Sequence, residues 1–488
     1  MRGKGEIEIY PASRLEGHAK ISIFLDDRGA VKDAFFQTLE LRGFEEFCKG
    51  RLVEEMPRIT PRVCGVCPWA HHLASAKAAD AAYGVEPTET AEKVREMGYS
   101  AFFVHDHLLH FYLLALPDFV PGPHAPPAER NVVGLLNKVG QDLGGKLLRA
   151  FGYAHEIQEI VGGRSTHPVF SLPGGISRPI SEEERKKIEG MAKYLLEFSE
   201  STLELFKKTV LKDEKYSKMI LEDKNVNRVN SLAMVGEGDS LSLLRGKLKA
   251  IDPDGRAIAI FEPKDYLDHI SEHVEPWTYS KFTFLKSVGW RGLVDGRGSG
   301  VYRVGPLARF NVIERIPTPK AQGAFEEMFE TLEKPCHSTF AYHWARVIET
   351  LYAAERLMEL VEDPSITSGD IRNIPAGPRG RGVGAVEAPR GTLIHDYTSD
   401  GEGRIRELNL IVPTTHNNSV ICMSVRNAAR NLIRAGSVDE GLLNEVEMAF
   451  RAYDPCLACA THTMPGQLPM RIEIIDSRGT LLKEVSRF

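Results

Sequence analysis

Hydrophobic and polar residues alternate along three short stretches near the start of the chain, as they do in half-buried β-strands. The stretches are Glu6–Tyr10, Ala19–Leu25 and Val31–Gln37, and the residues Asp26-Asp27-Arg28-Gly29 form a turn signal between the last two. This pattern predicts a small antiparallel sheet.

The remaining chain is mostly helical in its periodicity, with apolar residues recurring every three or four positions. One helix start is marked by Ser181, an N-cap residue followed by three glutamates. Helices are predicted over His72–Tyr83, Glu89–Leu116, Ala128–Ile160, Ser181–Leu211, Glu326–Asp363, Val420–Ala435 and Asp439–Tyr453. The one over Ala128–Ile160 is expected to be interrupted by its Gly residues.

Smaller β elements are predicted between these helices. Short strands and turns over Asn225–Arg303 indicate a β-rich insertion, and Gly391–Pro413 indicates a hairpin around Asp400–Gly403. Gly162–Pro179 is rich in Gly, Pro and Ser and predicts an ordered loop. The expected class is mainly α with small β parts (α+β): a central bundle of long helices, an N-terminal antiparallel sheet and a β-rich insertion.

Composition narrows the possible functions. The 488 residues are 42% hydrophobic and 26% charged, as in a globular protein with a sizeable core. A net charge of −6 argues against a nucleic-acid partner, and no apolar run is long enough to span a membrane. The N-terminus lacks the apolar core of a secretory signal. Seven cysteines in so long a chain do not suggest a disulfide framework, so we expect a reducing setting.

Four of the cysteines form two CxxC pairs at opposite ends of the chain. The first is Cys64-Gly65-Val66-Cys67 and the second is Cys456-Leu457-Ala458-Cys459. A CxxC loop directs two sulfur atoms to one point, so two such pairs can form one site with four sulfur ligands. Because almost the whole chain lies between them, we expect one interlocked unit.

Zinc is the usual metal for four cysteines, and a zinc-stabilised scaffold is therefore one interpretation. However, structural zinc sites usually close a local loop of ~15–20 residues. A protein with a large hydrophobic core also has little need of a zinc ion for stability. The pairs are also crowded by polar groups: Arg62, His71 and His72 lie near the first, and Asp454 and His462 lie near the second. A redox CxxC pair would not need a second copy.

The sequence around both pairs resembles the two signature motifs of the large subunit of nickel–iron hydrogenases. These motifs are Arg62–Cys67 with His71, and Asp454–Cys459 with His462. The resemblance covers the whole chain and includes four further boxes: Arg14-Leu15-Glu16-Gly17-His18, Arg42-Gly43-Phe44-Glu45, His105-Asp106-His107 and Glu387-Ala388-Pro389-Arg390-Gly391.

The resemblance implies a nickel ion held by the four cysteines, two of which bridge to an iron that carries carbon monoxide and cyanide. Cys67 and Cys459 match the bridging ligands, whereas Cys64 and Cys456 match the terminal nickel ligands. Soft thiolates suit these metals better than hard cations. The implied reaction is reversible heterolytic cleavage of H2, with the proton passing to Cys456 and then to Glu16.

Other residues match positions around this centre. Arg390, beside Pro389, and Thr414 match hydrogen-bond donors to the cyanide ligands. Asp106 and Asp454 match the carboxylates that pair with the arginine.

His71 matches a histidine that hydrogen-bonds a bridging sulfur. Without the resemblance, His71 would be interpreted as an ordinary core histidine and Glu16 as a carboxylate at a strand end. Arg390 would be a surface turn residue and Asp106 an exposed helix residue.

A secondary site for magnesium, or for iron, is also implied by the resemblance. Its ligands would be Glu45, His462 and the carbonyl of Leu410. The remaining histidines of one helix, assigned to packing or to a proton path, are His105, His107 and His110.

Oxidation of H2 releases electrons, and this chain has no cluster to receive them. Cys48, Cys336 and Cys422 are isolated in the sequence, whereas an iron–sulfur cluster needs about four grouped ligands. We therefore expect a partner with clusters. In the family this partner is the iron–sulfur small subunit, with further electron-transfer subunits beyond it.

The expected organisation is a single catalytic domain over residues 1–462, with the β-rich insertion at 225–303. Residues 463–488 form a C-terminal extension. In the family a maturation endopeptidase cuts after the matching histidine, so we expect the same cut after His462.

The amino-acid sequence of the motifs is most similar to that of the cytoplasmic, multimeric nickel–iron hydrogenases. These are linked to heterodisulfide reductase (the methyl-viologen-reducing type), to NAD(P) or to the deazaflavin F420. A quinone-reducing relative within respiratory complex I, which lacks the full cysteine set, is the second alternative beside the zinc scaffold.

Overall fold

A computed structural model describes residues 5–222, 225–434, 436–461, 470–475 and 480–487 of the chain. Fourteen α-helices lie within these residues: α1 Phe44–Phe47, α2 Met56–Ile59, α3 Pro68–Tyr83, α4 Glu89–Leu109, α5 Val132–Val139, α6 Gln141–Gly162, α7 Glu182–Phe206, α8 Glu214–Leu221, α9 Tyr266–His269, α10 Pro306–Val312, α11 Pro319–Thr331, α12 Ala341–Glu362, α13 Pro413–Leu432 and α14 Glu440–Arg451.

Sixteen strands occur in the same described part of the chain. They are β1 Glu6–Ile9, β2 Ala19–Leu25, β3 Val31–Thr38, β4 Ser171–Leu172, β5 Gly175–Ile176, β6 Asn230–Val235, β7 Lys247–Ile251, β8 Ala257–Phe261, β9 Ile270–His273, β10 Phe282–Leu285, β11 Tyr302–Arg303, β12 Arg381–Ala388, β13 Gly391–Ser399, β14 Ile405–Ile411, β15 Met470–Ile475 and β16 Leu481–Arg487.

The strands form several small sheets and no large one among the described residues. The N-terminal strands β1, β2 and β3 make an antiparallel sheet, in which Ile9 pairs with Ile21 and Ala19 with Thr38. The insertion contains a four-stranded sheet in the order β11-β6-β7-β8 and the separate pair β9–β10. A third sheet, β12-β13-β14, follows the long helices. The α+β class predicted from the sequence is confirmed.

The long helices α4, α6, α7 and α12 pack against one another and form the centre of the molecule. They contribute to one large hydrophobic cluster that also includes the cysteines of both CxxC pairs. Helix α3 lies between this bundle and the sheet β12-β13-β14, because it contacts both β12 and β13. The helix that follows the first cysteine pair is therefore held on two sides.

One predicted element is wrong. The periodicity predicts a single long helix over Glu326–Asp363, but this segment contains the end of α11 and the whole of α12, separated by residues 332–340. Pro335 lies in the gap and cannot donate the backbone hydrogen bond that a continuous helix needs. In contrast, α5 and α6 meet at Gly140, whose φ is 92°, which agrees with the predicted interruption of the helix Ala128–Ile160 by glycine.

Helix boundaries also differ from the predicted ones near the cysteines. Helix α3 begins at Pro68, immediately after Cys67, rather than at His72, and Pro is well suited to a first helical position. Likewise α13 begins at Pro413 instead of Val420, which places Thr414 in its first turn. No helix in the described ranges is both long and apolar enough to cross a bilayer.

Candidate metal centre

The four cysteines of the two CxxC pairs come together although 392 positions separate their members. Their sulfur atoms all lie within 4.8 Å of one another, with Sγ–Sγ distances of 3.2 Å for Cys64–Cys456, 3.2 Å for Cys67–Cys459 and 2.8 Å for Cys456–Cys459. None forms a disulfide, and all four are buried. The structure therefore has one site with four sulfur donors.

Local structure directs both pairs inward. Cys64 follows a short helical turn over Thr60–Val63, and its sulfur accepts hydrogen bonds from the backbone N–H groups of Val66 and Cys67 at 3.2 Å. Cys67 is then the N-cap residue of α3. A sulfur that accepts hydrogen bonds from two N–H groups is stabilised as a thiolate.

The sulfur set cannot carry four negative charges on its own. Burial raises the pKa of Cys456 and of Cys459. For Cys64, burial acts in the same direction, but hydrogen bonds from Cys456 and Cys459 outweigh it and bring its pKa well below the usual value. One thiolate is thus stabilised by neighbouring thiols, and a bound cation would replace their protons.

Glu16 lies directly beside the second pair. The thiol of Cys456 donates to Glu16 Oε2 at 3.1 Å, and the backbone N–H of Ala458 donates to the same oxygen at 3.0 Å. The N–H of Leu457 donates to the carbonyl of Glu16 at 3.0 Å, so the two segments pair along their backbones. Burial, followed by the charge of Cys64, raises the pKa of Glu16. Glu16 is therefore not merely a carboxylate at a strand end, because its side chain contacts Cys456.

Gly17 permits this approach. Its φ is +89°, a conformation that favours glycine. A Cβ atom at this position would lie 2.8 Å from Cβ of Leu457 and 3.2 Å from the backbone N of Ala458. Any larger residue would push Glu16 away from Cys456.

Arg390 is buried, with 3% of its surface exposed, and is not a surface turn residue. Its Nη1 donates to Asp106 Oδ2 at 3.0 Å, and its Nη2 lies 2.8 Å from Asp454 Oδ2. Asp106, in the middle of α4, has no exposed surface, contrary to the interpretation as an exposed helix residue. Burial disfavours the charged guanidinium, but the two carboxylates outweigh this effect, raise the pKa of Arg390 and fix its orientation.

Thr414 and Pro389 also lie at this centre. The Thr414 hydroxyl accepts a hydrogen bond from the backbone N–H of Cys456 at 2.9 Å, which leaves its own proton available to a further acceptor. The carbonyl of Pro389 accepts from Arg309 Nη2 at 3.1 Å. The contact with Arg309 thus holds the backbone immediately before Arg390.

His71 lies in the first turn of α3 and is buried. Its Nδ1 lies 3.1 Å from His395 Nε2, and the other nitrogen of His395 lies 2.6 Å from the hydroxyl of Tyr397, which donates to Ser75 at 2.9 Å. Burial lowers the pKa of His71 to about 4, so the ring is neutral near pH 7. This chain of hydrogen bonds fixes the orientation of the imidazole.

The candidates for the secondary metal site are partly brought together. The backbone N–H of Leu410 donates to Glu45 Oε1 at 3.2 Å. The carbonyl of Thr461 accepts from the N–H of Arg42, three residues before Glu45, at 2.9 Å. His462, the third candidate ligand, lies outside the described residues.

Sequence reasoning did not single out a second buried ion-pair network. Arg309 pairs with Glu349 at 2.5 and 2.6 Å and with Glu387 at 2.7 Å, and His107 Nε2 lies 3.0 Å from Glu349. Arg309 also donates to the carbonyl of Ala388 at 3.0 Å. Glu387 and His107 lie in boxes that carry the resemblance, but their pairing with Arg309 was not evident, because an arginine in a helix is usually a surface residue.

Comparison with known proteins identifies the family to which the chain belongs. Residues 42–139 and 146–462 match the family described as "Nickel-dependent hydrogenase", and residues 6–41 match one described as "HoxL-like". The chain belongs to the nickel-dependent hydrogenase family. It is therefore an enzyme, the large subunit of a nickel–iron hydrogenase, as its motifs indicated.

Curated relatives cover almost the whole hydrogenase chain. It is 48% identical over 485 residues to an iron-sulfur subunit of the F420-non-reducing hydrogenase of Archaeoglobus profundus, covering 99% of this chain and 100% of the relative. It is 38% identical over 498 residues to the beta subunit of the NAD-reducing hydrogenase HoxS of Cupriavidus necator, covering 99% of each.

A solved structure supports the same fold. The crystal structure of an NAD+-reducing [NiFe]-hydrogenase in the H2-reduced state matches with a TM-score of 0.87 and 37% identity, over 94% of this chain and 99% of that one. A nickel–iron–selenium hydrogenase from Desulfovibrio vulgaris matches with a TM-score of 0.75 at 24% identity, which supports the fold alone.

The donor set fits a nickel–iron centre. Four soft, buried sulfur donors lie within 4.8 Å of one another, a set that suits nickel and iron. The family match favours this assignment over the zinc scaffold and over the quinone-reducing relative. Cys64, Cys67, Cys456 and Cys459 would hold the metals in this hydrogenase.

Proposed function

We propose that this hydrogenase subunit cleaves H2 reversibly at the four-cysteine centre and that the proton leaves through Cys456 and then Glu16. A nickel–iron centre bound by the cysteines would supply the Lewis acidity that polarises H2 and the capacity to take up its electrons. The observation that carries the proton route is the 3.1 Å contact between Cys456 Sγ and Glu16 Oε2.

The route needs only groups that already touch. Cys456 holds a proton at Sγ and donates it toward Glu16 Oε2, while the N–H of Ala458 keeps that oxygen in place. Glu16 is only partly buried, and His18, two residues further along, is largely exposed to solvent. A proton on Glu16 is therefore within a short distance of bulk water.

The groups around the sulfurs orient the centre. We assign Arg390, held by Asp106 and Asp454, and Thr414 as donors to the cyanide ligands of the iron. Pro389 is assigned to the lining of the metal centre, beside Arg390. These assignments follow from motif position and from the contacts of the side chains with one another.

His71 is assigned, from its motif position, as the histidine that hydrogen-bonds a bridging sulfur, and the contact between its Nδ1 and His395 holds the ring in place. Cys67 and Cys459 are the bridging sulfurs in this scheme. Glu45, the carbonyl of Leu410 and His462 would hold magnesium, or iron, at the secondary site, and the contact between Glu45 and Leu410 supports the first two.

Replacement of Glu16 by Gln tests the proton route. The amide keeps the size and can still accept from Ala458, but it cannot take up a proton, so we expect dye-coupled H2 oxidation to fall at least ~100-fold. Exchange between D2 and water protons should fall by a similar factor, whereas nickel content should remain that of the wild type. Mass spectrometry of the gas measures the exchange, and metal analysis measures the nickel content.

Glu8→Gln is the control, because Glu8 is an exposed carboxylate on strand β1 of the same sheet. It should exchange D2 at the wild-type rate. Wild-type exchange in the Glu16→Gln variant would exclude Glu16 as the proton carrier.

The electrons must leave through a partner protein. All seven cysteines lie in the described part of the chain, and Cys48, Cys336 and Cys422 are buried apart from the four-sulfur site. We therefore propose that the direct partner is the iron–sulfur small subunit, with further electron-transfer subunits beyond it. The names of the relatives, each a single subunit of its hydrogenase, support this arrangement.

We propose that the enzyme is cytoplasmic and of the multimeric type, on the likeness of its motifs to those members. The relatives named above are F420-non-reducing and NAD-reducing hydrogenases. These names favour a heterodisulfide-reductase-linked or an NAD-linked enzyme over an F420-linked one.

The catalytic domain is proposed to end at His462, with residues 463–488 removed by a maturation endopeptidase. The family match also ends at residue 462, which supports this boundary.

A further inference from the structure

Arg346, in the first half of α12, is a buried arginine that the proposed reaction does not use. It is 1% exposed and makes one hydrogen bond, from Nη2 to the carbonyl of Ala452 at 3.0 Å. Its Nε and Nη1 have no partner among the described residues. A guanidinium is charged at any physiological pH, so burial with so few partners is costly and needs a reason.

The bond to Ala452 forms half of a clamp. His110, which starts a π-helical turn at the end of α4, has its Nε2 2.8 Å from the carbonyl of Arg451. Arg451 is the last residue of α14, where carbonyl groups lack intrahelical partners. Two side chains from different helices therefore hold two consecutive carbonyls at the end of α14.

This clamp lies immediately before the second cysteine pair. Asp454 follows the clamped residues with a φ of +58°, which is unfavourable for a residue other than glycine. Its N–H donates to the carbonyl of Arg451 at 3.0 Å, the same oxygen that His110 contacts. The strained turn that leads into Cys456 is thus held by His110, which follows α4, and by Arg346 in α12.

Arg346 also affects the charges around Arg390. Burial lowers the pKa of Arg346 to about 10, and Asp454 is the strongest opposing charge. Glu349 and then Asp106 act in the same sense as Asp454, whereas the charge of Arg390 acts against them. The two carboxylates that bind Arg390 directly are therefore balanced by two guanidinium groups, one in contact and one at longer range.

We propose that Arg346 is a positioning residue for the catalytic centre: with His110 it holds the turn over residues 451–454, and it supplies the second positive charge for Asp106 and Asp454, so that Arg390 keeps its orientation beside the cysteines. This inference rests on the proposed placement of Arg390 and Cys456 at the reacting centre. A merely structural arginine would stabilise the end of α14 without any effect on the centre.

Arg346→Gln and Arg346→Lys in the full chain test the proposal. In the metal-free chain, hydrogen exchange followed by mass spectrometry should show faster exchange in a peptide containing residues 452–457 in Arg346→Gln, because the clamp has lost its donor. This measurement does not depend on nickel. It therefore separates failure of the clamp from failure of the proposed reaction.

In the assembled, metal-loaded enzyme, Arg346→Gln should retain nickel but lose about 10- to 100-fold in kcat, with KM for H2 unchanged. The infrared stretching bands of the cyanide ligands should shift, because Arg390 is no longer held in one orientation. Arg346→Lys keeps the charge and should recover part of kcat. It also serves as the test variant if Arg346→Gln does not fold.

Arg95→Gln is the matched control. Arg95 is 4% exposed, and its Nε also has no partner among the described residues. It pairs with Asp80 at 2.6 Å and donates to the carbonyls of Leu172 and Gly175. We expect it to leave exchange at 452–457 and the cyanide bands unchanged. Wild-type exchange and kcat in both Arg346 variants, or equal effects of Arg95→Gln and Arg346→Gln on the bands, would overturn the proposal.

Discussion

At the scale of single residues, the centre is made by polar side chains that have lost contact with water. Arg390, Asp106 and Asp454 are each at most 3% exposed and satisfy one another's charges. In such surroundings one missing partner leaves a buried charge uncompensated, which costs about 3–5 kcal/mol. Their identities therefore matter more than those of ordinary core residues.

Cys456→Ala tests the role of one sulfur. Removing this ligand should abolish stable nickel binding and H2 turnover, because Cys456 contributes both a metal ligand and the contact to Glu16. Nickel content per chain and H2 uptake measure the two effects.

Cys422→Ala is the matched control, because Cys422 is equally buried but lies in α13, outside the four-sulfur site. It should keep its nickel and its activity. Unimpaired turnover in Cys456→Ala would rule out Cys456 as the first proton acceptor.

At the scale of elements, the position of the first cysteine pair depends on a close contact between α3 and β12. The helix is rich in alanine, and β12 presents Gly382 and Gly384 to it. A Cβ atom at Gly384 would lie 2.1 Å from the carbonyl oxygen of Ala74 and 2.4 Å from the nitrogen of Ala78. Glycine is required there because the helix backbone itself occupies the space.

Gly384→Ala should therefore push α3 away from the sheet and destabilise the protein by about 1–3 kcal/mol, as overpacking generally does. Since Cys67 is the N-cap residue of α3, nickel content should fall as well. The melting temperature and the nickel content of the purified protein report the two effects.

Gly190→Ala is the control for the added methyl group. Gly190 lies within α7 with no atom close to the position of a Cβ, so alanine should stabilise the helix by about 0.5–1 kcal/mol. A Gly384→Ala variant as stable as the wild type would contradict the close contact.

At the scale of the whole molecule, both ends of the chain must be in place before the site exists. The C-terminal segment reaches the N-terminal sheet through Glu16 and through Ser13, whose N–H donates to Glu447 Oε1 at 2.7 Å. Arg451 and Asp118 extend these contacts to the helical bundle at 3.1 Å.

Active protein should therefore lack residues 463–488. Intact-mass measurement on enzyme purified with H2 activity should give the mass of a chain ending at His462. The Cys456→Ala variant, which cannot complete the metal site, should retain the extension and thus distinguish a maturation cut from accidental proteolysis. A mass equal to that of the full chain in active enzyme would contradict the cut.

The fold was predictable where local patterns are strong. The alternation of β1 to β3 and the N-cap at Ser181 are properties of neighbouring residues, and both were confirmed. The gap between α11 and α12 was missed because apolar periodicity continues across it, although Pro335 interrupts the hydrogen bonding. Periodicity detects a buried face, whereas continuity of a helix depends on each backbone donor.

The metal ligands were evident from the sequence alone, because sulfur chemistry and CxxC spacing are local properties of the chain. The surroundings were not: Arg390 contacts Asp106 across 284 positions, and Arg346 is noticeable only because α12 buries it beside the end of α14. Burial and pairing arise from contacts between segments far apart in sequence. Tertiary packing therefore brings four cysteines and a few ordinary charged residues into one buried centre, with Glu16 in contact with Cys456.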